Sequence, residues 1–166
     1  MILGIDPGTA TTGYGFIRES RDGSLEAVDY GVILTPAEES MEKRLLMLYQ
    51  QLSDKILFHH PQSGAVEKLF FQRNVTTAIS VGQARGVILL TLAQAQIPTA
   101  EYTPNEIKQA VSGYGAADKK QMQMMVKTLL NLEKIPKPDD AADALGVAIC
   151  HFYHNRFNLL AQESTP

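Results

Sequence analysis

Apolar positions mark out strands in the first part of the chain. Ile2-Leu3-Gly4-Ile5 is a short apolar run stopped by Asp6-Pro7-Gly8, and Gly13-Tyr14-Gly15-Phe16-Ile17 resumes in an extended style until Arg21-Asp22-Gly23-Ser24 turns the chain. A third run, Leu25 to Leu34, ends at Pro36. The short connections and the Asp-Gly turn predict an antiparallel meander of three strands. The period then changes. Leu45, Leu48, Leu52 and Ile56 recur at spacings of three and four, which predicts an amphipathic helix over about 40–58, with Ser40 as a candidate cap and His59-His60-Pro61 closing it. Ala65-Val66-Glu67 reads as a short buried strand, and 75–95 as a helix with Ala78, Val81, Ile88 and Leu92 along its apolar side. Pro98 to Tyr102 is predicted as a fifth strand. Pro104-Asn105-Glu106 opens another helix, Gly113-Tyr114-Gly115 breaks it, and further helices follow near 119–131 and 140–154. Three strands, then helix, strand, helix, strand and helices, predict an α/β fold with a mixed sheet covered by helices.

At 166 residues, 45% of them hydrophobic, the chain is long enough for one domain that buries a core without staples. No repeat, low-complexity tract or linker divides it, so 1–157 is expected to form the domain and 158–166 a fraying tail. The single cysteine, Cys150, has no partner for an internal disulfide and is expected to be a buried, inert thiol. The start at Met1-Ile2-Leu3-Gly4 lacks the pattern of a signal peptide, and no apolar run is long enough for a membrane span. A reduced, cytoplasmic protein with no membrane association is expected. His151 and His154 are spaced for a zinc site but lack suitably spaced partners, and are read as surface or helix-end residues.

Charge changes the picture, because the formal net charge of −3 hides an asymmetry. Residues 1–67 are net −5, 68–138 net +5, and 139–166 net −3. The negative total argues mildly against a nucleic-acid partner, but a basic middle lies between acidic ends, which charges clustered on solvated faces would also produce.

Several carboxylates are hard to explain structurally. Asp6 ends an apolar strand, where a turn role alone is plausible. Glu67, however, interrupts what should be a buried strand, and an unpaired buried carboxylate is expensive. Asp139-Asp140-Ala141-Ala142-Asp143 opens the final helix, where acids favour the N-terminal end of the helix dipole. Capping accounts for one of the three. Asp140 and Asp143, three residues apart, share a helix face and can converge on one point. If strands one and four are neighbours, Asp6, Glu67, Asp140 and Asp143 form a cluster that needs positive charge among its members. Hard oxygen donors of this kind select Mg²⁺ or Mn²⁺ over zinc, and a pair of such ions suits phosphoryl transfer.

The blocks Ile2-Leu3-Gly4-Ile5-Asp6-Pro7-Gly8, Thr12-Gly13-Tyr14-Gly15, Glu67-Lys68-Leu69-Phe70, Gly82-Gln83-Ala84-Arg85-Gly86 and Asp140-Ala141-Ala142-Asp143-Ala144-Leu145, in this order, closely resemble the RuvC family of Holliday-junction resolvases. The resemblance runs in register from Met1 to about Phe157. It implies an RNase H-like fold whose five-stranded mixed sheet has three antiparallel and two parallel strands flanked by helices. It also implies a homodimeric endonuclease for DNA recombination and repair. Such an enzyme makes two symmetric nicks in four-way DNA junctions, leaves 5′-phosphate and 3′-hydroxyl ends, and works with the branch-migration proteins RuvA and RuvB. The family's catalytic acids fall on Asp6, Glu67, Asp140 and Asp143, all four as ligands to Mg²⁺, two ions per site, with Mn²⁺ able to substitute. Asp139 lies outside that pattern and is assigned to capping or electrostatic tuning.

The resemblance also places the important DNA-facing lysines on Lys108 and Lys119, with Lys120 an extra neighbour, and a base-stacking aromatic on Phe70. Arg73, Asn74 and Arg85 are further candidates for backbone contact, Arg85 alternatively serving a dimer interface. Phe71 is expected inside. The small residues Ala78, Gly82 and Gly86 of the 75–95 helix would let a second protomer approach. Two alternatives keep the fold: a nuclease for other branched DNA, and a junction-binding factor that does not cut. The turn Gly4 to Thr9 with Thr12-Gly13 also resembles the phosphate hairpin of actin-like ATPases, but two lobes around ATP do not fit into 166 residues.

Overall fold

The computed structural model describes residues 1–68 and 75–163, with side chains described up to 68 and from 78 to 157. Strands β1 (Ile2–Asp6), β2 (Thr11–Glu19) and β3 (Leu25–Leu34) form the antiparallel meander. Helix α1 (Met41–His59) then carries the chain to β4 (Ser63–Glu67), and α2 (Val75–Gln94) carries it to β5 (Thr99–Tyr102). Helices α3 (Pro104–Ser112), α4 (Lys119–Leu129) and α5 (Asp139–Glu163) follow. The sheet order is β3-β2-β1-β4-β5, with β4 parallel to both β1 and β5. Three antiparallel and two parallel strands are thus joined at β1, as expected.

Side chains alternate across a strand, and here that alternation separates two cores. Leu3, Ile5, Phe16, Ile33 and Val66 pack on Leu48, Leu52 and Ile56 of α1 and Ala84, Ile88 and Leu92 of α2. On the opposite face Ile17, Ala65 and Tyr102 meet Ile107, Val111, Val126, Leu145 and Ile149 of α3, α4 and α5. The second face carries the chemistry.

Glycines set how closely α5 lies on that face. Gly4 pairs with Gly15, and Asp6 with Gly13, across β1 and β2. A Cβ at Gly4 would stand 2.3 Å from the Ala144 carbonyl oxygen, and one at Gly13 only 2.0 Å from that of Asp140. Backbone therefore rests on backbone, with Ala141, Ala144 and Ala148 fully buried at the seam.

Three expectations need correcting. Ser40 precedes α1 but its hydroxyl bonds Glu42 Oε1 at 2.5 Å instead of capping the helix. The last helix continues to Glu163, because no glycine or proline intervenes before Pro166. His151 is buried: its Nδ1 shares a hydrogen bond with the Tyr102 hydroxyl at 2.9 Å, and its Nε2 lies 3.0 Å from the Asn155 amide nitrogen. Burial lowers its pKa to about 4, so a neutral imidazole ties α5 to β5. His154 stays exposed, its ring 4.9 Å from that of Tyr102. Cys150 is buried as expected, and desolvation pushes its thiol up to about 12.

Candidate active site

Asp6 and Glu67 are the last residues of β1 and β4, whose parallel register pairs Ile5 with Val66 immediately before them. Both alternate onto the α5 face, one position beyond residues that fill the opposite core. Their two carboxyl groups are hydrogen-bond partners. Burial first, then the charges of Glu67, Asp143 and Asp140, raise the Asp6 pKa to about 8. Burial also raises Glu67, opposed by the Asp6 hydrogen bond and by Lys108. The turn that follows Asp6 is fixed by two threonines. Thr12 Oγ1 donates to the Gly8 carbonyl and Thr35 Oγ1 to that of Thr9, each at 2.6 Å.

The glycine seam delivers the third acid. With the Asp140 carbonyl seated over Gly13, the first turns of α5 stand beside Asp6, and Asp143 joins Glu67 on one cavity of about 230 Å³. Burial raises the pKa of Asp143, opposed by Lys119, and Asp140 adds its charge to both Asp6 and Asp143. Ile107, Met122 and Val126 wall the cavity, while Lys108 and Lys119 supply its cations. The backbone on either side is held by capping boxes. Thr103 and Glu106 exchange hydrogen bonds at the start of α3, as Asp118 and Gln121 do at the start of α4.

Among the described residues, no three acidic, imidazole or thiol side chains are gathered tightly enough to enclose an ion on their own. Glu67 and Asp143 instead line the cavity, with Asp6 hydrogen-bonded to Glu67 and Lys119 Nζ 3.7 Å from Asp143 Oδ2. An all-oxygen donor set whose ionisation is opposed first by burial and then by neighbouring like charges suits a hard divalent cation. Asp6, Glu67, Asp140 and Asp143 are the oxygen donors that could hold one.

Of the expected DNA-facing residues, Lys108 and Lys119 line the cavity, and Lys120 is exposed beside Lys119 at the start of α4. Phe70, Phe71, Arg73 and Asn74 lie outside the described residues. Arg85 has another partner: its guanidinium pairs with Glu101 of β5 and is largely buried, so it holds α2 against the sheet. The cavity walls on α4, and the network in which Lys119 and Lys137 both pair with Asp139, went unnoticed in the sequence. Met122 and Val126 carry the helical spacing of ordinary core positions, which hides a cavity wall.

The geometry agrees with comparisons to known proteins. A family model described as "Crossover junction endodeoxyribonuclease RuvC" matches residues 2–151. The chain belongs to the RuvC family. Its relative from Syntrophomonas wolfei, named crossover junction endodeoxyribonuclease RuvC, is 54% identical over 98% of this chain and 94% of the relative. A relative of the same name from Roseiflexus sp. is 59% identical over 91% of this chain and 89% of the relative. Among solved structures, Thermus thermophilus RuvC in complex with Holliday junction substrate superposes with a TM-score of 0.89 at 30% identity, covering 95% of each chain. The fold is therefore the RNase H-like RuvC fold, and the described part of this RuvC-family chain has no helix long and apolar enough to cross a membrane.

Proposed function

We propose that this chain resolves four-way DNA junctions by paired, symmetric, metal-dependent nicks that leave 5′-phosphate and 3′-hydroxyl ends. The observation that carries the reading is that Glu67 and Asp143 line one cavity with Lys108 and Lys119, while Asp6 is hydrogen-bonded to Glu67 and electrostatically coupled to Asp143. Family membership supports the substrate. Asp6, Glu67, Asp140 and Asp143 act as ligands for two Mg²⁺ ions, with Mn²⁺ as a substitute. Held by these four residues, such a pair of ions would supply activation of the attacking water and stabilisation of the departing 3′ oxygen. The protein's own part is to hold the acids at fixed positions on β1, β4 and α5. Lys108, Lys119 and Lys120 meet the DNA backbone, joined by Arg73 and Asn74, while Phe70 stacks on a base near the crossover. The protein works in the cytoplasm, where bacterial DNA lies.

The test uses a synthetic four-way junction, a linear duplex and a replication-fork mimic, each with Mg²⁺ or with chelator. Paired nicks are expected on the junction alone, and only with metal. Equal cutting of the duplex would reject the assignment.

Symmetric nicking calls for a homodimer, and α2 offers a surface for one. Ile79 and Leu90 are 66% and 55% exposed, and between them a side chain at Gly82 or Gly86 would meet nothing within 4 Å. These four positions share one helix face, so a second copy can approach closely. Sedimentation is expected to give a dimer for the native chain and a monomer for Gly86→Arg, whose junction cuts fall on single strands. A dimeric Gly86→Arg protein would place the interface elsewhere. RuvA and RuvB complete the assignment as partners, and failure of either to join this chain on junction DNA would remove it from the list.

A further inference from the structure

We propose that Asp139 is a positioning residue that holds the Lys119 ammonium at the rim of the carboxylate cluster and limits its competition with a divalent cation for Asp143. The proposal rests on the reading of Asp6, Glu67, Asp140 and Asp143 as metal ligands.

Helix α4 begins with Lys119 and Lys120 and has no acid in its first turn, the reverse of what the helix dipole favours. The Asp118 carboxylate before it is engaged in capping the helix, so the Lys119 cation looks outside α4 for its partner. Lys119 Nζ finds it in two carboxylates of α5, Asp139 Oδ2 at 3.1 Å and Asp143 Oδ2 at 3.7 Å. The nearer one is anchored independently. Lys137 Nζ donates to Asp139 Oδ1 at 2.9 Å, and the Gln123 side chain also hydrogen-bonds Asp139. Gln123 is buried on the inner face of α4, one turn beyond Lys119. Asp139 thus has its hydrogen bonds filled by side chains, as suits a non-ligand, whereas Asp143 faces the cavity. Two carboxylates draw on one ammonium, and the better-anchored one holds it. Without the Asp139 charge, Asp143 becomes the stronger partner, and the ammonium then opposes the metal directly.

The deciding measurement is a double-mutant cycle in Mn²⁺ affinity, read without DNA by calorimetry or electron paramagnetic resonance. Salt of about 0.3 M shortens the screening length to roughly 6 Å and suppresses distant charge effects. Asp139→Asn is expected to weaken Mn²⁺ binding about three- to tenfold in the native background, and less than about twofold when Lys119→Met is already present. Asp139→Glu restores most of the affinity, which a loss of folding would not allow. Equal weakening in both backgrounds means Asp139 acts only as a nearby charge and overturns the proposal, as does no weakening at all. Glu67→Gln separates the two readings. Mn²⁺ binding untouched by Glu67→Gln, or no saturable binding in the native chain, defeats the metal-site reading and this proposal with it. Binding that Glu67→Gln abolishes, combined with an additive cycle, defeats the positioning role alone.

Discussion

Asp6→Asn is expected to lower junction cleavage by about a thousandfold or more, because it removes a ligand from the centre of the cluster without changing its shape. Asp6 is hydrogen-bonded to Glu67 and within electrostatic reach of both Asp140 and Asp143. Junction binding measured in chelator should stay within about threefold, since the contacts proposed for the DNA backbone are Lys108, Lys119 and Lys120 and not the acids. The same substitution should raise thermal stability in chelator. It takes an ionisable carboxyl out of a site where burial and three like charges oppose its ionisation. A stabilised, junction-binding, inactive protein is therefore the expected phenotype, and it excludes misfolding as the cause of inactivity. Retention of more than a tenth of native cleavage would show that Asp6 is not a ligand. Loss of junction binding in a folded variant would show that acids and basic surface do not divide the work.

How much of this was legible in the sequence depended on the kind of signal. The elements that position Asp6 and Glu67 were readable, because apolar runs stopped by Asp6-Pro7-Gly8 and interrupted by Glu67 announce both the strands and the misplaced charges. The same logic brought Asp140 and Asp143 to one helix face. Where α5 docks was not readable. It depends on Gly4, Gly13 and Gly15 facing α5 from adjacent strands, a coincidence of register that appears only once β1 and β2 are paired. His151 was misread for a related reason. Its burial is made acceptable by the Tyr102 hydroxyl, 49 positions away in the chain, and no local pattern announces that partner. Arg85 was read as a candidate for DNA-backbone contact or a dimer interface because its partner Glu101 sits on a different element. Asp139 was recognised as outside the family's set of acids, but its role required the Lys119 and Lys137 ammonium groups to be seen on either side of it.

In chelator, stability should fall as pH rises from about 5 to about 8, and Mg²⁺ should reverse the trend. Asp6 has a folded pKa of about 8 against an ordinary 3.8, and Glu67 and Asp143 are also raised, all three chiefly by burial. A carboxyl whose pKa is higher in the folded state gives stability that is fully present below its unfolded value and lost as pH rises through the folded one. Between those limits the native chain holds more protons than the unfolded chain, so the slope of unfolding free energy with pH is negative. The three groups titrate as a coupled set, and their joint effect is on the order of a few kcal/mol. For a chain of this size that corresponds to a fall in melting temperature of roughly 5–15 °C. A divalent ion replaces the proton as the source of positive charge, so Mg²⁺ should raise the melting temperature far more near pH 8 than near pH 5 and release protons on binding. Asp6→Asn should flatten the chelator profile and most of the Mg²⁺ response together. A chelator profile that is level or rises over this range would mean that the acids are already relieved without metal, by Lys108 and Lys119 alone. The crowding of carboxylates could then no longer be the reason that a cation binds.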